Sequence, residues 1–250
     1  MSASPYPSLR TVDGLTLRGR QWLTDGTPSA AVVIVHGFSA SSECPNVEAL
    51  ANALHAEDLD VITYDARGHG TSDGESTLGD HEQHDVAAAV ELARQRTSRV
   101  VLVGASMGAI ATLRYAVTDP DLAGAVSVSC PAEWKMPRNG YGALAAAMTR
   151  TGVGRKIVRR MAGVRVYPRW TNPTAPVDLV PNLKVPVTII HGTEDRFISV
   201  RAAAQLAQVA PDPHRIVIMR GMGHAFEAVA IKPIREAVSW ALGYQLAPAY

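Results

Sequence analysis

A serine framed by glycines, Gly104-Ala105-Ser106-Met107-Gly108, stands between the apolar run Val100 to Val103 and a segment of helical periodicity that opens at Met107. A sharp strand-to-helix turn of the pattern G-x-S-x-G has no room for bulky flanking side chains. It lifts the serine hydroxyl to the head of a helix, where the Met107 N–H and the positive helix end favour a developing oxyanion. The chemistry this suits is attack on an acyl carbonyl. A serine hydroxyl is a weak nucleophile near neutral pH, so a base must take its proton and a carboxylate should orient that base. His224, in Gly221-Met222-Gly223-His224, and Asp195, in His191-Gly192-Thr193-Glu194-Asp195, each follow an apolar run, and the order serine, aspartate, histidine is the one such a turn requires. Glu194 competes with Asp195 as the acid. A second oxyanion donor is expected after the run Ala31 to Val35, from the backbone N–H of Phe38 in His36-Gly37-Phe38, and the Phe38 ring is a candidate wall of the acyl pocket.

The remaining histidines read as structural. His36 and His191 precede a glycine at a strand end, and His69 sits in Arg67-Gly68-His69-Gly70, all positions where an imidazole fixes a turn. His81 and His84 share a helix face beside Asp80 and Asp85, but no third ligand cluster accompanies them, so no metal is expected. His55 and His214 read as surface residues. Of the two cysteines, Cys44 falls in a loop and Cys130 at a strand end. They read as reduced thiols, and neither has the context of a nucleophile.

These residues must be positioned by elements that the apolar pattern reveals. Leu9 to Val12 and Leu15 to Trp22, separated by Asp13-Gly14, form a predicted hairpin. Six apolar runs follow, Ala31 to Val35, Val61 to Tyr64, Val100 to Val103, Gly124 to Ser129, Val185 to Ile190 and Arg215 to Met219. They are too continuous for a sheet wetted on one side. Helical periodicity over about Asn46 to Ala56, His81 to Gln95, Met107 to Asp119, Val200 to Ala210 and Ile231 to Leu242 completes an α/β alternation. The expected architecture is one domain over 1–250, a mostly parallel sheet with an N-terminal antiparallel hairpin and helices on both faces. The alternation stalls between Pro131 and Lys184, an insertion expected to lie over the carboxyl edge of the sheet as a cap or lid.

The bulk composition excludes several function classes. With 250 residues, 47% hydrophobic, 19% charged and net charge +1, the chain has the core of a globular domain and no basic tail for nucleic acid. Its longest apolar runs are too short to span a bilayer, and its first residues lack the charged and apolar regions of a secretory leader, so a cytoplasmic location is expected.

Taken in order, His36-Gly37-Phe38-Ser39, Tyr64-Asp65-Ala66-Arg67-Gly68-His69-Gly70-Thr71-Ser72-Asp73-Gly74, the Ser106 turn, His191-Gly192-Thr193-Glu194-Asp195 and Gly223-His224 resemble the α/β-hydrolase family along the whole chain except the cap. The resemblance is to small bacterial carboxylesterases, of the cinnamoyl-esterase and monoacylglycerol-lipase or lysophospholipase-like groups. It implies a cofactor-free, two-step acyl transfer to water through a serine ester, acting on a small-molecule acyl or aryl ester. It also implies that the Tyr64 to Gly74 stretch shapes a turn. Ala105 stands where many relatives carry histidine, a departure expected to bear on substrate fit.

Within 131–184, ten Lys or Arg face only Glu133 and Asp178, a net +8. Arg155, Lys156, Arg159 and Arg160 alternate with Ile157, Val158 and Met161 as in a short helix with a cationic and an apolar face. A solvated lid surface accounts for this pattern; the sharper reading is a cap that meets an anionic substrate, an acyl carrier or a lipid headgroup. Two alternatives to an esterase remain at this stage, a thioesterase for acyl-CoA or acyl-carrier substrates and a non-enzymatic receptor that keeps the same three side chains.

Overall fold

The computed structural model describes residues 8–134 and 147–244, together with Ser4–Pro5 and Leu144. In chain order the elements are β1 (Ser4–Pro5), β2 (Leu9–Arg10), β3 (Thr16–Leu17), β4 (Gly19–Trp22), β5 (Ala31–Val35), α1 (Pro45–His55), β6 (Asp60–Tyr64), α2 (Gln83–Arg94), β7 (Val100–Ala105), α3 (Met107–Ala116) and β8 (Gly124–Val128). After these come α4 (Gly152–Ala162), α5 (Pro176–Leu179), β9 (Val187–Gly192), α6 (Arg201–Val209), β10 (His214–Met219) and α7 (Ile231–Tyr244). Eight strands form the main sheet in the order β1-β4-β6-β5-β7-β8-β9-β10, with β4 antiparallel to both its neighbours, β1 and β6, and every adjacent pair from β6 to β10 parallel. This is the α/β-hydrolase fold.

The predicted hairpin is present, but its second arm is two strands. β2 and β3 pair with Leu9 opposite Leu17 around the loop Val12-Asp13-Gly14, in which Gly14 takes φ 83°. After Leu17 the chain leaves that ribbon, and β4 joins the main sheet beside β6, with Trp22 opposite Val61. Leu17 and Trp22 are both buried although five residues apart, and they lie in different cores, so the period-2 alternation changes phase where the partner changes.

The parallel strands are buried on both faces, which is why they read as unbroken apolar runs. In β5, Ala31, Val33 and Val35 join the core beneath α2, α3 and α6, whereas Val32 and Ile34 join the core beneath α1 and α7. The chain runs from β5 outward to β6 on one side and returns to β7 on the other. The carboxyl ends of β5 and β7 therefore flank the point where the strand order reverses, the place where sheets of this kind open a crevice.

Between Tyr64 and Gly74 the side chains tie loops together. Arg67 is almost fully buried; its guanidinium contacts Asp85 of α2 at 2.7 Å and Asp13 of the hairpin loop at 2.7 Å, and its backbone N–H donates to Asp85 at 2.8 Å. Asp65 accepts the backbone N–H of Ser42 at 2.8 Å and its hydroxyl at 2.9 Å, and so anchors the loop that follows β5. Replacing Arg67 with Met would leave the Asp85 carboxylate buried without a counter-charge. The expected loss is about 3–5 kcal/mol of unfolding free energy. In urea titrations this deficit should narrow as the pH falls, because protonation of Asp85 removes the unpaired charge.

Candidate active site

Five loops leave the carboxyl ends of β5, β7, β8, β9 and β10, and every side chain of the site comes from them. Ser106 occupies the turn between β7 and α3 with φ 54° and ψ −115°, a conformation that costs a non-glycine residue on the order of 1–3 kcal/mol. The surroundings over-determine it. Its N–H donates to Val128 O at 2.9 Å, and its C=O accepts the N–H groups of Ala109 and Ile110. Gly108 lies so close to β5 that a Cβ there would stand 2.2 Å from Val35 O, a backbone atom that cannot move aside. Ser39, Ser129 and Ala225 also take positive φ, each in a loop of this same edge.

Asp195 and His224 converge on Ser106. His224 Nε2 lies 2.9 Å from Ser106 Oγ, and His224 Nδ1 lies 2.6 Å from Asp195 Oδ2. An ionised carboxylate only accepts, so Nδ1 carries the proton and donates to Asp195, leaving Nε2 to accept the Ser106 hydroxyl. Burial raises the Asp195 carboxyl, but hydrogen bonds from His191 and His224 and the N–H of Ile198 outweigh it and hold the group well below the usual carboxylate range. Its Oδ1 accepts the N–H groups of Phe197 and Ile198, both at 2.9 Å, which fixes the carboxylate plane. Glu194, the competing acid, is exposed; its contact in this loop is its own N–H to Met222 O at 3.0 Å.

The loop bearing His224 is held on both sides of the imidazole. Gly223 N–H donates to Glu227 Oε2 at 2.8 Å, and Ala225 N–H donates to the buried Ser129 hydroxyl at 3.2 Å. Gly192, the last residue of β9, lets this loop approach, since a Cβ there would stand 2.0 Å from Met222 O. The Phe197 ring packs on the imidazole with centroids 5.1 Å apart. Neither Ser129, Glu227, His191 nor Phe197 stood out as part of a site in the sequence. Only Glu227, placed a few residues after His224 in an otherwise apolar stretch, gives a local signal.

Phe38 is half-buried on the loop after β5. Val35 pairs in register with Gly104, and a Cβ on Gly37 would be 3.3 Å from Ser106 Cβ, so this loop runs against the serine. His36 fixes the turn: its Nε2 accepts the N–H of Ala66 at 3.0 Å and its Nδ1 donates to Gly37 O at 2.8 Å. Burial, with His69 beside it, pushes that imidazole down to about 3, so the ring is neutral and structural. Met107 N–H, at the first position of α3, has no acceptor within the helix. Ala105, expected to bear on substrate fit, is fully buried in the core under α1 and α7 and offers no surface to a ligand. Burial pushes the Cys130 thiol up to about 12, which removes it as a nucleophile at neutral pH. Among the described residues no three His, Cys, Asp or Glu side chains come together as a metal site.

Residues 26–170, more than half of the chain, match the family model described as serine aminopeptidase, S33 (Hydrolase_4). The chain belongs to this α/β-hydrolase family. Among curated relatives, human monoglyceride lipase is 37% identical over 134 residues, 50% of this chain and 44% of that protein. The chain thus spans less than half the length of the monoglyceride lipases it matches. Among solved structures, esterase RhEst1 from Rhodococcus is 25% identical with a TM-score of 0.69, covering 96% of this chain and 99% of that one. Est1E from Butyrivibrio proteoclasticus, solved with ferulic acid bound, shares the fold at 20% identity and a TM-score of 0.69, over 97% of this chain and 100% of that one. This α/β-hydrolase is therefore homologous to lipases and esterases. No helix among its described residues is long and apolar enough to cross a membrane.

Proposed function

We propose that this α/β-hydrolase is a serine esterase acting on carboxylic acyl or aryl esters, with Ser106 as nucleophile, His224 as base and then acid, and Asp195 as the group that orients His224. The observation that carries this reading is the unbroken contact from Asp195 through His224 to Ser106. Ser106 Oγ attacks the ester carbonyl while its proton passes to His224 Nε2, and the N–H groups of Phe38 and Met107 receive the oxyanion. The proton then moves to the departing alkoxide, which leaves as the alcohol. Water, deprotonated by the same imidazole, cleaves the acyl-serine and releases the acid. The described residues 147–184 of the insertion serve as a cap over this site, a role supported by the packing of Phe38 against Val158, Val164 and Val166; residues 135–143 and 145–146 of the expected cap lie outside the described residues.

The test is kcat/KM across p-nitrophenyl esters of graded acyl length and the matching thioesters. Turnover led by the esters is expected. Faster turnover of the thioesters would reassign the substrate, and turnover of neither by a folded protein would favour a receptor.

On this reading Glu227 and Ser129 are positioning residues. Glu227→Ala frees Gly223 N–H and should lower kcat about 10- to 100-fold with KM changed less than about twofold, because a displaced imidazole costs rate more than binding. Glu227→Gln keeps an acceptor oxygen and should restore most of that rate.

A further inference from the structure

The helix α4 carries its charge as the sequence implied but buries only part of its apolar face. Gly154 and Val158 are buried, and Val158 packs with Val164, Val166 and Phe38. Val153, Ile157 and Met161, spaced four residues apart on a neighbouring stripe, are 71%, 40% and 80% exposed. Lys156, Arg159 and Arg160 are exposed on the opposite side of that stripe, and among the described residues none of them forms an ion pair. The helix contains no acidic residue.

The helix is also firmly seated. Thr151 caps it by accepting the N–H of Gly154 at 2.9 Å, and Gly163 ends it in the left-handed conformation. The chain just beyond is pinned to the Arg67 to Ser76 segment: Arg165 N–H donates to Gly68 O at 2.8 Å, Arg165 O accepts Ser76 N–H at 2.7 Å, and the Arg165 guanidinium reaches Gly74 O and Ser72 O. An anchored helix with an open apolar stripe bordered by unpaired cations has the make-up of one that lies in a lipid interface, apolar side chains among the acyl chains and cations at the headgroups. A soluble anionic ligand would need the cations alone.

We infer that the α4 face formed by Val153, Ile157, Met161, Lys156, Arg159 and Arg160 seats the protein on an anionic lipid surface. The consequence for catalysis, that a site beside Phe38 would draw on water-insoluble esters, rests on the esterase reading. The binding itself does not.

The full chain carrying Ser106→Ala is sedimented with vesicles of phosphatidylglycerol or of phosphatidylcholine, so that hydrolysis plays no part. Binding to phosphatidylglycerol vesicles is expected, at least about tenfold stronger than to phosphatidylcholine and weakening steeply with added salt. The exposed triple substitution Val153→Gln, Ile157→Gln, Met161→Gln should lower it at least about tenfold, and so should Lys156→Gln, Arg159→Gln, Arg160→Gln. Circular dichroism of both variants should match the parent. Absence of binding to phosphatidylglycerol vesicles at low salt would overturn the inference. So would binding unchanged by the apolar triple, or retention of soluble polyglutamate in place of vesicles, which would assign the face to an acidic protein. None of these outcomes bears on whether wild-type protein hydrolyses a water-soluble ester, so the two readings fail separately.

Discussion

Ser106→Ala is expected to lower kcat for a p-nitrophenyl ester by about 10⁶-fold, the scale seen when a serine nucleophile is removed from a three-residue machine. The loss should appear in kcat with KM little changed, since the hydroxyl bonds covalently to the substrate only after binding. The variant should be nearly as stable as the parent. Its alanine keeps the strained φ of 54°, the N–H to Val128 O and the packing of Gly108, and loses a single hydrogen bond to a partly exposed imidazole. Thermal melts within a few degrees of wild type, together with the kinetic loss, would separate a chemical role from a structural one.

Asp195→Asn should lower kcat by about 10⁴-fold, with Glu194→Gln within about twofold of wild type. The carboxylate accepts from Nδ1 and thereby keeps Nε2 unprotonated, facing Ser106 Oγ. An amide can offer N–H to Nδ1 instead, which moves the ring proton to Nε2 and leaves the serine without a base. The asymmetry between neighbouring acids follows from their settings. Asp195 has no exposed side-chain surface and accepts two backbone N–H groups, whereas Glu194 points to solvent. Loss of activity in Glu194→Gln with retention in Asp195→Asn would reverse the assignment.

The sheet was legible because burial on both faces leaves a continuous apolar signature. The runs read at Ala31 to Val35 and Val61 to Tyr64 correspond to β5 and β6 within a residue at each end. The placement of Ser106, Asp195 and His224 at strand ends was legible because a tight strand-to-helix turn and two loops beyond strands have local marks. What lies between the loops was not. Ser129 is a serine at a strand end like many others, and its role depends on the N–H of Ala225, 96 positions away in sequence. The ring of Phe197 against His224 and the 3.4 Å approach of His191 Nε2 to Asp195 Oδ2 are likewise products of three-dimensional packing. Ala105, a position read through the resemblance, has its side chain fully buried in the core under α1 and α7. Periodicity gave α4 its cationic side but not the direction of its apolar side, because only part of an apolar arc need meet the body of the protein.

The central claim is that Ser106 is a nucleophile activated by His224, and the most direct measurement is the mass of the intact, folded protein after exposure to a fluorophosphonate, followed by peptide mapping. A single adduct on the peptide containing Ser106, absent from Ser106→Ala and formed at least about 10³-fold more slowly in His224→Ala, is the expected result. A folded wild-type protein that takes up no adduct, or one whose adduct persists in Ser106→Ala, would contradict it.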